Sequence, residues 1–143
     1  MYTIMTNDIE EVSIVNNNLN SRIAKKVSDQ GIPKLLDIYS KYDVEGTFYI
    51  TGTFAKNFPE AIQNIYDHGH EIGCHGFSHR SWSAWKPNPA LFSSQLELAT
   101  TKLRDVAGQA WRPYFRAPAG YVASWMAPII AEHGYTIDSS VNQ

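Results

Sequence analysis

His70-Glu71-Ile72-Gly73-Cys74-His75-Gly76-Phe77-Ser78-His79 holds the reading of this chain. Its first half, His70–Cys74, is short and apolar enough to be a buried strand. Its second half delivers His75 and His79, four residues apart. On a helical turn that spacing puts both imidazoles on one face. Two neutral imidazoles meeting at one point are half of a tetrahedral metal site. Read alone, a histidine pair is more often a surface or capping feature, so the flanking sequence has to decide.

Upstream, Pro59 opens a helix with Phe58, Ile62, Ile65 and Tyr66 on its inner face, and Gly69 closes it. Before that helix, Glu45–Ile50 forms a strand ended by Thr51-Gly52. Further back, Ile32, Leu35, Leu36 and Tyr39 make one apolar stripe on a helix that starts at Pro33. Residues 12–30 are polar and weakly periodic, with Ile23 and Val27 anchoring at most one turn. Tyr2–Asn7 is a first strand running into Asp8-Ile9-Glu10-Glu11. In extended backbone Asp8 and Glu10 point to the same side. Such a pair is either a solvated turn or one general base beside one metal ligand.

Downstream, Arg80–Pro89 is a loop with Trp82 and Trp85, which either form a platform for a sugar ring or pack beneath the loop. Pro89 opens a long helix whose inner face is Phe92, Leu96, Ala99, Leu103 and Val106, ended by Gly108. Trp111–Phe115 is a fourth strand leading to Arg116-Ala117-Pro118-Ala119-Gly120. Val122–Glu132 is helical and Tyr135–Ile137 is a fifth strand. Strand and helix alternate throughout, which predicts an α/β fold with a parallel sheet and right-handed crossovers. In such sheets chemistry collects at the carboxyl ends of the strands. Asp8 and Glu10, His75 and His79, Arg116, and Asp138 each fall at a predicted strand end.

The bulk numbers narrow the function. The chain has 143 residues, room for one domain. A net charge of −2 with no basic cluster gives a nucleic-acid partner no electrostatic support. No apolar run approaches the ~20 residues of a membrane span, and no signal peptide opens the chain, so the expected location is cytoplasmic. The single cysteine, Cys74, reads as a buried apolar filler. His68 suits a helix C-terminus, and His70 reads as structural at the strand entrance.

These residues resemble the polysaccharide deacetylases (the NodB-like domain, carbohydrate esterase family 4). The resemblance rests on Thr6-Asn7-Asp8-Ile9-Glu10, on Gly69–His79, on Arg116-Ala117-Pro118-Ala119-Gly120, and on Gly46–Gly52 as the family's second strand. It implies a distorted (β/α) barrel of about seven strands, which needs ~200 residues or more, so about five strands are expected in this chain. It also implies residues 1–143 forming one catalytic domain with a C-terminal part apparently missing, along with the family's Leu-x-x-His motif.

By that resemblance Asp8 is the general base, held in place by Arg116. Glu10, His75 and His79 ligate a divalent metal ion, zinc above others, with Glu10 replacing the second aspartate because Ile9 cannot bind metal. Backbone at Ala119 and Gly120 faces the oxyanion, and Gly76 stands where a hydroxyl residue is common. The implied reaction is N-deacetylation of an N-acetylated sugar or polysaccharide. The alternatives are an amidohydrolase for a small linear or cyclic amide and an inactive carbohydrate- or metal-binding remnant.

Overall fold

The computed structural model describes residues 3–12 and 18–140. Five strands lie in it: β1 (Met5–Ile9), β2 (Gly46–Ile50), β3 (Glu71–Cys74), β4 (Trp111–Phe115) and β5 (Ile137–Asp138). All neighbours are parallel, and spatial order equals chain order. Each crossover therefore steps the same way, which is how a barrel wall grows; a doubly wound sheet would reverse direction midway. The five strands make the curled half-barrel that the sequence led us to expect.

Register sorts the side chains, because successive residues of a strand point to opposite faces. One face carries the rows Asn7–Phe48–Ile72 and Ile9–Ile50–Cys74–Phe115. Phe48, Ile50, Ile72, Cys74 and Phe115 are fully buried there against the helices. Each such apolar side chain contributes roughly 1.5–3 kcal/mol. The opposite face carries Thr6–Thr47–Glu71 and Asp8–Tyr49–Gly73. One two-residue period thus separates the core from the site.

The helices are α1 (Ser21–Lys26), α2 (Ile32–Lys41), α3 (Gly52–Asn57), α4 (Pro59–Asp67), α5 (Pro89–Ala107) and α6 (Ala127–Glu132). Helix α5 buries Phe92, Leu96, Ala99 and Leu103 as expected, while Val106 is only partly covered. Helix α4 buries Ile62 and Ile65, but Tyr66 turns outward.

The largest departure from expectation is at 21–30. Helix begins at Ser21 and runs through a π-helical turn, Val27–Gly31, into α2. Asn20 starts it: its Oδ1 accepts the N–H groups of Arg22 (3.0 Å) and Ile23 (3.1 Å). Asn20 looks like loop composition in sequence but acts as an N-cap. Helix α3 was also not expected, and Thr51 caps it by accepting the N–H of Phe54 at 3.3 Å. Before α6, by contrast, 122–126 is not regular helix, so the expected Val122–Glu132 helix starts only at Ala127. Register slips between β3 and β4, where Ile72 pairs with Trp111 but Cys74 with Phe115. Pro113 lies in the slipped stretch and has no N–H for the ladder. Tyr2, residues 13–17 of the expected loop, and 141–143 lie outside the described residues.

Candidate active site

At the carboxyl ends of β1, β3 and β4 the sheet gathers Asp8, Glu10, His75, His79 and Arg116. His75 follows β3 directly and is 2% exposed. Its Nδ1–H donates to the Arg116 carbonyl at 2.9 Å, since a carbonyl can only accept. That fixes the tautomer and leaves the Nε2 lone pair free. Nε2 lies 3.3 Å from Glu10 Oε2 and 4.0 Å from Asp8 Oδ2. His79 Nε2 meets the same Glu10 oxygen from the other side.

The histidine pair is not brought together by a helical turn, as the spacing suggested. Residues 75–79 form a bend with left-handed backbone at Gly76 (φ 72°) and His79 (φ 57°). A glycine suits the first position, and a Cβ there would meet Pro118 Cγ at 3.2 Å. The start of α3 braces the bend: Gly52 N–H donates to Gly76 O and Thr53 N–H to Phe77 O, both at 2.9 Å. Thr53 Oγ1 donates to Phe77 O as well, at 2.8 Å.

Glu10, His75 and His79 each offer one ligand atom, all within 4.8 Å of one another. Burial pushes the Glu10 carboxyl up, yet the proximity of the two histidines brings it down to about 2, so it is anionic near neutrality. With the His75 proton spent on Arg116 O, Glu10 Oε2 is buried without a well-formed hydrogen bond. Such an atom is costly unless something positive meets it. Two imidazole nitrogens and one carboxylate oxygen are the donor set of a catalytic metal site with an open position. The residues present therefore fit a divalent cation.

Asp8 is held by other means. Arg116 donates from Nη1 to Asp8 Oδ1 (2.8 Å), from Nη2 to Thr6 Oγ1 (3.0 Å) and from Nε to Ser139 Oγ (3.0 Å). Its guanidinium lies 4.3 Å from the centre of the Tyr49 ring. Tyr49 needs Gly73 as its neighbour, because a Cβ there would stand 2.9 Å from that ring and 3.0 Å from Tyr114 O. Three supports, Thr6, Ser139 and Tyr49, thus aim one guanidinium at one carboxylate, leaving Asp8 40% exposed and its Oδ2 toward His75.

Sequence reading missed most of these supports. Tyr49 shares a register row with Asp8 and Gly73, a pairing that only the folded sheet reveals. Ser139 and Ser140 read only as a chain end, yet Ser140 Oγ accepts the Ala117 N–H at 2.7 Å. Glu11 was passed over too. It is buried and accepts from Thr51 Oγ1 at 2.8 Å, tying the exit of β1, beside Glu10, to the exit of β2.

Other expected residues sort out as follows. Asp138 does not join the site; it is exposed and its Oδ1 accepts the Ser140 N–H at 3.0 Å, closing a local turn. The Arg116–Gly120 loop turns through left-handed Ala119 (φ 63°) and Gly120 (φ 81°). The Gly120 N–H is already donated to Ala117 O (2.8 Å), while Ala119 is exposed. Trp82 is buried to 6% and packs edge-on against Phe92, so it cannot be an open platform. Trp85 is 63% exposed. Cys74 is fully buried and burial pushes its thiol up to about 11, which removes it from ligand chemistry.

Residues 25–137 match the family described as polysaccharide deacetylase. A peptidoglycan deacetylase of Helicobacter pylori is 32% identical over 119 residues, 78% of this chain and 37% of the relative. A peptidoglycan-N-acetylmuramic acid deacetylase of Bacillus subtilis is 30% identical over 103 residues, 72% of this chain and 38% of the relative. Among solved structures, one assigned as a polysaccharide deacetylase from Mycobacterium smegmatis superposes with a TM-score of 0.81 at 28% identity, covering 94% of this chain and 49% of that one. The chain thus spans less than half the length of these relatives. On the strength of the matched span and of those identities, the chain belongs to the polysaccharide deacetylase family.

Proposed function

We propose that this chain carries the metal-binding and base-bearing part of an N-deacetylase that hydrolyses the acetamido group of an N-acetylated sugar. The observation that carries this reading is the buried, donor-less Glu10 oxygen set between two imidazole nitrogens, with Asp8 clamped beside them. Relatives named for peptidoglycan and chitooligosaccharide deacetylation support the substrate class. That class is an N-acetylated hexosamine in a glycan or oligosaccharide, within the N-acetylated sugar or polysaccharide that the resemblance implies. Among the described residues no helix is long and apolar enough to cross a membrane.

Glu10, His75 and His79 would hold the cation, for which zinc suits two imidazoles and a carboxylate best. When bound, the cation supplies Lewis acidity to the amide carbonyl and to the attacking water. Asp8 takes the proton of that water, with Oδ2 as the free oxygen because Oδ1 is held by Arg116. Arg116 aims Asp8 through its Nη1 bond to Oδ1. The exposed Ala119 N–H donates to the developing oxyanion, a role Gly120 cannot share because its N–H is spent in the turn. The C–N bond then breaks and the amine departs with a proton. His68, His70 and His133 are bonded elsewhere, to Asn64 O, the Gly46 N–H and Ser93 Oγ. Among the described residues, the proton Asp8 has taken is the one at hand for the amine.

Trp85 beside His79 on an open cavity of about 490 Å³ favours a sugar over a small amide. The test is acetate release from N-acetylglucosamine oligomers by zinc-loaded protein. Saturable release that Asp8→Asn abolishes supports the reading. Release that persists in Asp8→Asn, or none from any N-acetylated sugar, refutes it.

A further inference from the structure

The loop leaving His79 holds a cation whose neighbours are aromatic. The Arg80 guanidinium carbon lies 4.4 Å from the centre of the Trp82 ring and 5.5 Å from that of Trp85. Trp82 is anchored in turn. Its ring meets Phe92 at 5.6 Å, and Phe92 meets Trp125 at 5.6 Å, each edge-on. Phe92 is a core residue of α5, so a ladder of packed rings runs from the core to the face of Arg80. No carboxylate among the described residues pairs with Arg80. The guanidinium groups of Arg112 and Arg116, in contrast, are each matched, to Glu71 and to Asp8.

Arg80 also lines the cavity that His79, Ser78, Ser81, Ala84 and Trp85 enclose. A guanidinium stacked on an indole spends its π-face and keeps the N–H donors at its edge. That edge is a fork with the spacing of a carboxylate, and stacking sets its orientation before any ligand arrives. Beside it, Trp85 offers a broad apolar face of the kind on which a sugar ring packs.

We infer that Arg80 is a specificity-determining residue that receives the carboxylate of an acidic N-acetylated sugar, with Trp85 against the ring. The placement of the reacting acetamido group rests on the deacetylase reading above; the anion subsite itself does not.

Tryptophan fluorescence titration of the zinc-loaded protein tests this without turnover. The probes are N-acetylglucosamine, which is neutral, N-acetylmuramic acid, whose carboxylate is ether-linked, and N-acetylglucosaminuronic acid, whose carboxylate is C6. At least one acid should bind roughly tenfold or more tightly than the neutral sugar, the size of one charge-assisted hydrogen bond. Which acid wins tells where the carboxylate sits. Arg80→Gln keeps most of the stem over Trp82 and should erase the preference while leaving neutral-sugar binding unchanged. Arg80→Lys should keep part of it.

Equal binding of all three sugars, no saturable signal with any, or equal weakening of acidic and neutral sugars by Arg80→Gln overturns the subsite. Acetate release measured on the same sugars separates the two readings. Charge-selective binding without acetate release refutes the deacetylase reading alone, and acetate release without charge selectivity refutes the Arg80 subsite alone.

Discussion

His70 and His75 bracket the same strand, five residues apart, and both are almost fully buried, at 4% and 2% exposure. They differ in what becomes of one lone pair. His70 Nδ1 accepts the Gly46 N–H at 3.2 Å, and its ring is enclosed by Tyr39 (5.4 Å) and Phe48 (5.1 Å). His75 Nδ1 instead gives its proton to a carbonyl, so its other nitrogen reaches the site as a bare lone pair. One imidazole completes a backbone ladder at the amino end of the sheet; the other is presented to a carboxylate at the carboxyl end. Burial alone does not separate these two histidines; the direction of the first hydrogen bond does.

Breaking the carboxyl end should show first in function. Asp8→Asn is expected to lower acetate release about 10²–10⁴-fold with zinc content unchanged, as for loss of a general base. His75→Ala should lose both release and stoichiometric zinc, measured by metal analysis on folded protein. Retention of zinc by His75→Ala would remove it from the ligand set. Next comes Gly73→Ala, whose new Cβ displaces the Tyr49 ring that carries Arg116. We expect roughly 10–100-fold lower kcat from misaimed Asp8, with destabilisation of about 1–3 kcal/mol in urea. Unchanged kcat in Gly73→Ala would show that Tyr49 does not aim the arginine.

Breaking the amino end should show in stability and leave zinc untouched. His70→Ala strands the Gly46 N–H and opens a hole under Tyr39, and should cost about 2–4 kcal/mol in denaturant titrations. The smallest effect is a pH slope. Burial holds the His70 pKa below its ordinary 6.5, and the neighbouring His68 lowers it further against a weaker pull from Glu45. The unfolded chain therefore binds the proton more readily than the folded one. Stability from this group is full above about pH 6.5. It falls as pH drops from there through the lowered folded value. Replacing His70 by Asn should flatten that slope; an identical slope in the variant would assign it to other groups.

How much could be read beforehand follows the same division. The alternation of strand and helix, and the placing of five chemistry-bearing residues at strand exits, were legible because they depend on period, punctuation and residue type. Asp8, Glu10, His75, His79 and Arg116 each stand at a strand exit in a pattern that local sequence carries. The supports were not legible, because each is a pairing between distant segments. Tyr49 under Arg116, Ser139 on its Nε and Thr51 on Glu11 join ordinary residues across the sheet. Trp82 shows the limit from the other side: its type fitted a sugar platform, and only packing on Phe92 assigned it to the interior. The polar 21–30 stretch is helical beyond the one turn expected of it, because one capping side chain, Asn20, outweighs the composition around it.

The spacing of the site along the chain bears on the order in which it can be built. Glu10, His75 and His79 all lie within the first three strands and the bend that follows them. The clamp on Asp8 comes from 108 residues away, and its own anchor, Ser139, from beyond β5. Long-range closures of this kind come late when a sheet is assembled strand by strand. A chain emerging from the ribosome thus brings Glu10, His75 and His79 together before Arg116 aims Asp8. Pulse-labelled hydrogen exchange should then protect β2 and β3 ahead of β4 and β5, and added zinc should speed the first step more than the second.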